Sequence, residues 1–246
     1  MIFYALTFSI LCVATFVLCE AEELTLPVTT CKRNLTDYST CLKEAVEEAW
    51  PRFVEGLPEF DFPRLDPILY KDGRIVFNRS LIYAEGNVIN ATVFGFGLSH
   101  FLDVRSHFLD DVFRLEMDIL MPKIIIYSYV DGQSNLFGMR TNGRGQLNVT
   151  LNENRITHDI IGHVENDTWT VKHHRIIMTV EKMKCHLSGF FDDSKELNDI
   201  LEDFINEYWP PLYREFAPAV FELIDPFLVN LDNRLFSKVS FSKVFP

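Results

Sequence analysis

The chain has 246 residues, of which 48% are hydrophobic and 24% are charged, a composition typical of a globular protein and not of a disordered one. Its 23 Lys and Arg residues against 35 Asp and Glu residues give a net charge of −12. This charge argues against nucleic acid and anionic membrane surfaces as partners, because both bind clustered cations. Phenylalanine occurs 22 times, so the fold must accommodate much side-chain surface that lacks any polar group.

The N-terminal segment is typical of a secretory signal peptide. No charged residue occurs from Ile2 to Cys19, and three glutamates follow by residue 23. We predict that signal peptidase removes residues 1–19, or cuts after Ala21, and that residues 20–246 form a single domain. An uncleaved membrane anchor is the alternative, because a run of about 18 apolar residues is just long enough to span a bilayer.

Cysteines and glycosylation motifs agree with a secretory route. Cys31 and Cys41 lie close together in sequence, and we predict a disulfide between them in an oxidising compartment. Cys185 is then either a buried small hydrophobe or a reactive or intermolecular thiol. Five N-x-S/T motifs predict N-glycosylation at Asn34, Asn78, Asn90, Asn148 and Asn166.

The first predicted element after the signal is an amphipathic helix between Tyr38 and Gly56, where apolar residues recur at helical spacing. Pro51 is predicted to end or kink this helix near Trp50, since proline lacks the backbone N–H. An extended, proline-rich segment follows from Leu57 to Leu69.

Antiparallel strands are predicted from about Arg74 to Lys184. In the clearest one, Val112 to Leu120, apolar and charged residues alternate, so one face of the strand should be buried. Two later strands, Thr168–Lys172 and Arg175–Met183, follow a predicted turn. The buried face of the first strand comprises Phe113, Leu115, Met117 and Ile119.

The glycosylation motifs set the orientation of other strands, because a glycosylated asparagine must face water. Asn148 facing outward turns Val149 inward. The same reasoning at Asn90 predicts inward positions for Ile89, Ala91 and Val93. The segment from Lys123 to Val130 is apolar on both faces and is predicted to be covered on both.

The periodicity becomes helical again after Ser194, a predicted N-cap preceded by Asp192 and Asp193. Apolar residues then recur at i, i+3 and i+4 up to Pro210-Pro211 and resume beyond them. We therefore predict one long kinked helix or two helices end to end, because consecutive prolines interrupt the helical hydrogen bonds. The aromatic tail, Leu235 to Pro246, is predicted to pack back as a strand.

Together these elements predict an α+β fold, in which a highly curved antiparallel sheet wraps a long amphipathic helix and a short helix precedes the sheet. Such a roll is an elongated tube. If its side chains do not fill the space between sheet and helix, an apolar tunnel remains.

No catalytic, phosphate-binding or dinucleotide-binding motif is present, so we predict neither an enzyme nor a metal or cofactor site. The histidines His158, His163, His173 and His174 fall within a short stretch, but a strand separates neighbouring ones onto opposite faces. They are interpreted as solvated or hydrogen-bonded, not as zinc ligands. The carboxylate pairs Glu47-Glu48, Asp110-Asp111 and Asp192-Asp193 are interpreted as solvated or helix-start charges.

Tyr127 and Tyr129 share one face of a predicted strand. Either they are packing residues with a solvated hydroxyl, or their hydroxyls lie in an apolar pocket and bind the single polar group of a lipid-like ligand.

The whole chain after the signal resembles the takeout and juvenile-hormone-binding protein family of insects. The similar pieces are Cys31 to Cys41 followed by a helix, Pro63 to Pro67, the strands around Met117 to Val130, Gly189 to Trp209, and the tail from Arg234. The resemblance implies a tubular lipid-binding fold and a disulfide between Cys31 and Cys41. Cys185 has no partner for the second disulfide of high-affinity hormone carriers, so the chain is more similar to takeout proteins.

The resulting hypothesis is a monomeric carrier, secreted into haemolymph or another body fluid, that binds a juvenile-hormone-like terpenoid or fatty ligand without catalysis. A secreted interaction glycoprotein with a fully packed tube is the first alternative, and an enzyme acting on lipid esters is the second. Besides Phe113, Leu115, Met117, Ile119, Tyr127 and Tyr129, the residues predicted to line the tunnel are Ile89, Val93, Val149, Trp169, Phe204 and Tyr208.

Overall fold

A computed structural model describes residues 24–79, 82–136, 138–191 and 194–246. The predicted signal peptide, residues 1–19, lies outside the described residues, as do Asp192 and Asp193.

The described residues form a long helix packed on one curled antiparallel sheet, with a short helix before the sheet, so the predicted fold is confirmed. The neighbours in the six-stranded sheet run β1-β2-β4-β5-β6, and β3 pairs with the first half of β4. In chain order the elements are α1 (Tyr38–Glu55), β1 (Ile68–Arg79), β2 (Ile82–Phe94), β3 (His100–Leu109), β4 (Val112–Leu136), β5 (Met139–Glu165), β6 (Thr168–Ser188), α2 (Lys195–Phe236) and α3 (Phe241–Val244).

The sheet bends where β4 and β5 cross its centre. The alternation of inward and outward side chains along β4 shifts by one residue at this point. Met121 and Ile124 are both buried, although they are three positions apart. Asn154 is fully buried here, and its Nδ2 donates hydrogen bonds to the carbonyl oxygens of Met121 and Leu151, at 3.0 and 3.1 Å. Glu153 beside it has a positive φ of 54°. The bend keeps the apolar face of both strands turned inward along their whole length.

The prediction that Lys123 to Val130 is covered on both faces is wrong. Ile124 is buried, whereas Tyr127 and Tyr129 are 46% and 42% exposed. Helix α2 contacts the sheet at β6 and β1 and leaves the outer face of β4 in contact with solvent.

Helix α2 closes the sheet into a tube by packing against both edge strands. Asn206 accepts a hydrogen bond from the backbone N–H of Cys185 and donates one to its carbonyl oxygen, both at 2.8 Å. Asn233 makes the same pair with Val171, at 2.8 and 2.9 Å. Each side chain thus pairs the free edge of β6 as a neighbouring strand would. The two contacts are similarly spaced on both elements. The helix between Asn206 and Asn233 spans about 40 Å, and the strand between Cys185 and Val171 spans about 46 Å.

The prediction of one long kinked helix or two helices end to end is confirmed, since α2 consists of two helical segments that join across a kink. The Ser194 side chain accepts a hydrogen bond from the N–H of Leu197 and so caps the helix, as predicted. The kink falls at Tyr208, whose φ of −106° and ψ of 20° are not helical, just before Pro210-Pro211. None of the described helices, α2 included, has a stretch apolar and long enough to cross a membrane.

Two helix boundaries differ from the predictions. Helix α1 continues through Pro51 to Glu55, and the proline lies on its exposed side. The tail does not form a strand, because the side chain of Ser240 accepts a hydrogen bond from the N–H of Lys243 and starts the short helix α3. The tail does pack back, as Phe241 and Phe245 are buried in the core.

Aromatic clusters lie at the two ends of the tube. At one end the ring centroids of Phe241 and Phe245 lie 5.0 and 4.6 Å from that of Phe113, next to buried Trp169. At the other end the rings of Phe77 and Phe216 lie 4.2 Å apart. Between these ends, several inward-facing apolar side chains of the sheet are only half-buried: Met117, Ile126, Val149, Ile176, Met178, Val180 and Met183.

Replacing Asn233 by alanine should lower the free energy of unfolding by about 2 kcal/mol, because it leaves an N–H and a carbonyl of β6 without partners. Urea unfolding followed by circular dichroism measures this loss. Asn230→Ala is the matched control, since Asn230 is exposed on the same helix and, among the described residues, its side chain bonds that of Arg234 and no backbone group of β6. Equal stabilities of the two variants would contradict the assigned role of Asn233.

Candidate functional site

Most of the predicted lining residues lie on the inner side of the sheet. Phe113, Leu115, Ile119 and Trp169 are buried in the main core, and all four are less than 7% exposed. The predicted buried face of β4 is therefore confirmed. Met117, Val93 and Val149 pack against the same core but remain half-buried.

Ile89 lies on the other face of the sheet from the one predicted. It pairs directly with Tyr129 of β4, and directly opposed residues of antiparallel strands share a face. A bulge between Ile89 and Thr92, with Asn90 at a φ of 50°, adds one residue to β2. The bulge leaves Ala91 and Val93 inward and turns Ile89 outward, which the alternating pattern could not indicate.

The two tyrosines also lie on the outer face, so the structure does not place their hydroxyls in an apolar pocket. Tyr127 packs edge-on against Phe94, with 5.9 Å between ring centroids. The hydroxyl of Tyr129 accepts a hydrogen bond from Nε2 of Gln146 at 3.1 Å. They match the alternative interpretation, that of packing residues with solvated hydroxyls.

The helix residues Phe204 and Tyr208 lie near the kink of α2. Their rings stack at a tilt with 5.1 Å between centroids. Phe204 packs against the cluster at that end of the tube, whereas Tyr208 is 48% exposed.

A chain of hydrogen bonds inside the tube joins the sheet to α2, and sequence reasoning missed it. Nδ1 of His158 lies 2.8 Å from Nε2 of His174, and Nδ1 of His174 lies 2.7 Å from Oδ2 of Asp232. His174 and Asp232 are nearly buried, with side chains 8% and 13% exposed. We call these three residues the His–His–Asp relay.

His174 faces inward, toward His158, because of a second bulge. The register pairs Ile161 with His173 but Gly162 with Val171, so Lys172 is the extra residue of β6. His174 therefore lies opposite buried Ile160. Ile156, His158 and Ile160 alternate in sequence, which is a signal that could have placed His158 inward.

His158 has an unusual environment for a titratable group. Burial and the neighbouring His174 imidazole lower its pKa from 6.5 to about 3. Its direct strand partners, Met117 and Ile176, are apolar and face the same way. Although protein atoms surround the imidazole, part of the His158 side chain remains solvent-accessible. A neutral imidazole thus borders accessible space in an apolar surrounding.

The charged groups on the outer face are paired and indicate a structural role. Arg114 donates to Asp159 at 2.6 Å, and Arg105 donates to Glu116 at 3.2 Å. Burial would raise the pKa of Glu116, but hydrogen bonds from His107 and Arg105 lower it overall. The pairs Glu47-Glu48 and Asp110-Asp111 are exposed. Among the residues that the structure describes, no three His, Cys, Asp or Glu side chains converge as a metal site would require.

The predicted disulfide is confirmed, and Cys185 matches one of its two predicted states, that of a buried small hydrophobe. Cys31 and Cys41 form a disulfide, with their Cα atoms 6.0 Å apart. Cys185 is a free, buried cysteine, and its burial raises the pKa of its thiol to about 12. The thiol is therefore protonated and unreactive at neutral pH.

Comparisons with known proteins agree with this architecture. The family model described as "Haemolymph juvenile hormone binding protein (JHBP)" matches residues 9–246. The circadian clock-controlled protein daywake of Drosophila yakuba is 21% identical over 224 residues, which cover 87% of this chain and 86% of the relative. The crystal structure of Epiphyas postvittana Takeout 1 is 20% identical, with a TM-score of 0.74, over 88% of this chain and 99% of the other. At this identity the structural likeness shows the fold alone.

The low pKa of His158 predicts a loss of stability in acid. Between pH 6.5 and about 3 the unfolded chain binds a proton that folded His158 does not, so lowering the pH favours unfolding. His158→Gln should remove about 1 kcal/mol per pH unit of this dependence. Urea unfolding of the unchanged protein and of His158→Gln, at pH values from 7 to 5, measures this dependence. His163→Gln, at an exposed position of the same strand, is the control for replacing a histidine. Parallel pH profiles for the unchanged protein and His158→Gln would contradict the prediction.

Proposed function

Because the chain belongs to the haemolymph juvenile hormone binding protein family, we propose that it is a secreted carrier that binds a small hydrophobic ligand between its sheet and helix α2. The ligand class is a terpenoid or a fatty chain, bound without catalysis. The protein acts as a monomer in haemolymph or another body fluid.

One structural observation supports the proposal most strongly. The apolar side chains at the centre of the inner face keep accessible surface, whereas aromatic residues pack closely at the two ends. Methionine is frequent at this centre, with Met117, Met178 and Met183 from two strands, and its flexible thioether adapts to ligands of different shape. A long, narrow apolar ligand would bury these surfaces.

The energetics of such binding are sufficient. Burial contributes about 0.8 kcal/mol per CH₂ group, so a ligand of ~15 carbons gains on the order of 10 kcal/mol before the costs of association. After several kcal/mol of those costs, affinities fall in about the micromolar to nanomolar range. No specific polar contact is needed to reach that range.

We assign the lining by position on the inner face. Met117, Val93 and Val149 would touch the ligand directly, because they are half-buried. Phe113, Leu115, Ile119 and Trp169 would form the closed end. Phe204 would approach from α2, near the other end.

Secretion is supported by features outside the interior. The Cys31–Cys41 disulfide requires an oxidising compartment to persist. The glycosylation motifs at Asn34, Asn78, Asn90 and Asn166 lie on exposed residues, which leaves room for glycans. Asn148 is only half-exposed, and its Oδ1 is buried without a partner.

Filling the interior should abolish ligand uptake. Ile176→Trp places a large ring at the centre of the inner face, and we expect at least a tenfold loss of affinity for a fluorescent fatty-acid probe. Ile177→Trp is the matched control, because Ile177 is the next residue on the opposite face and is 65% exposed. Fluorescence titration measures both, and Met178→Phe serves as a second filling variant.

The outcomes separate the two candidate functions. The carrier function is supported if the protein takes up the probe and if terpenoids or fatty acids displace it. It also requires that the filled variants lose this uptake and that the control variant keeps it. If purified protein contains no co-purified lipid and binds no probe, the carrier proposal is wrong and the fully packed interaction glycoprotein takes its place.

A further inference from the structure

We propose that His158 is the polar recognition group of the interior, and that the preferred ligand has an O–H group that donates a hydrogen bond to its Nε2. This inference rests on the proposed carrier function and specifies its ligand: an apolar chain with a hydroxyl or a protonated carboxyl group. An ester or a hydrocarbon of the same length lacks the donor.

When both imidazoles are neutral, the hydrogen bonds of the relay fix which nitrogen carries each proton. A carboxylate can only accept, so the Nδ1 of His174 donates to Asp232. When both rings are neutral, Nε2 of His174 then lacks a hydrogen and accepts one from Nδ1–H of His158. Neutral His158 has a single N–H, so its Nε2 keeps a lone pair and is an acceptor.

This acceptor has no protein partner among the described residues. The 2.8 Å contact with His174 uses Nδ1, and no hydrogen bond joins Nε2 to any residue in the described ranges. Nε2 is also not among the buried polar atoms that are sealed off without a partner. It therefore borders accessible space, where a bound molecule can reach it.

The apolar surroundings make this single acceptor selective. His158 lies between Met117 and Ile176, and Ile156 and Ile160 flank it on its own strand. A ligand that displaces water from Nε2 without offering a donor leaves a buried acceptor unsatisfied. A ligand with an O–H group replaces the lost hydrogen bond, so the two classes should differ by about tenfold or more in affinity.

Asp232 acts as a positioning residue, because it sets the direction of the relay without touching the ligand. In Asp232→Asn the amide can accept from Nδ1 of His174 through its oxygen or donate to it through its nitrogen, so it no longer holds the proton of His174 at Nδ1. When the amide donates, the proton of His174 moves to Nε2, and His158 accepts at Nδ1 and carries its own proton on Nε2. The interior would present a donor, which suits an ester carbonyl.

The test compares palmityl alcohol, palmitic acid and methyl palmitate as competitors of the fluorescent fatty probe. For the unchanged protein we expect the alcohol to bind at least about tenfold more tightly than the ester. The acid arm shows whether a carboxyl group is accepted equally well. His158→Phe should bring alcohol and ester to within about threefold of each other, with ester binding retained.

Two isosteric variants keep the test decisive if His158→Phe does not fold. Asp232→Asn should lower the preference for the alcohol over the ester by about tenfold. Asp225→Asn is the matched control, because Asp225 accepts a hydrogen bond from the backbone N–H of His174 and lies outside the relay. It should keep the preference of the unchanged protein.

The failures are distinguishable. Equal binding of alcohol and ester by the unchanged protein would overturn the assignment of His158 and leave the carrier function standing. So would an alcohol preference that persists in His158→Phe or, if that variant does not fold, in Asp232→Asn. Absence of binding by the probe and by all three competitors would overturn both.

Discussion

The pairing of helix α2 with the free edge of β6 is the constraint on which the tube depends. An edge strand leaves backbone N–H and carbonyl groups unpaired, and those of β6 are met by side chains of the helix. Asn206 and Asn233 pair both groups of one residue each, and the Tyr213 hydroxyl donates to the carbonyl oxygen of Met178 between them at 3.1 Å. Because polar contacts at the edge hold the helix, its apolar side chains need not fill the centre of the inner face.

The His–His–Asp relay extends this attachment inward. Asp232 lies one residue before Asn233 on the same helix, so the contacts that dock α2 on β6 also bring a carboxylate to His174. His158 is thereby held in one orientation deep within an apolar surface. Placing polar groups there is costly unless each is hydrogen-bonded, and every nitrogen of the relay except Nε2 of His158 has a partner among the described residues.

Takeout 1 shares the architecture at 20% identity, so the fold persists while most of the sequence changes. The features that define this fold here are an apolar inner face and a helix paired to the sheet edge. In the proposed carrier, the interior side chains would decide which ligand fits. Specificity is therefore expected at positions such as His158, not at the aromatic ends that close the tube.

Local sequence patterns determined most element types, the interruption of the long helix, the buried face of β4 and the Cys31–Cys41 pair, because these depend on residues close together in sequence. The tail, predicted as a strand, forms helix α3 instead. The resemblance to a known family supplied the expectation of a carrier. Only the tertiary structure decided that Ile89 faces outward and that His174 meets His158. Each depends on a single extra residue in a strand, and a shift of one residue moves every following side chain to the opposite face. The contact with Asp232 joins residues 58 positions apart, which no local pattern encodes.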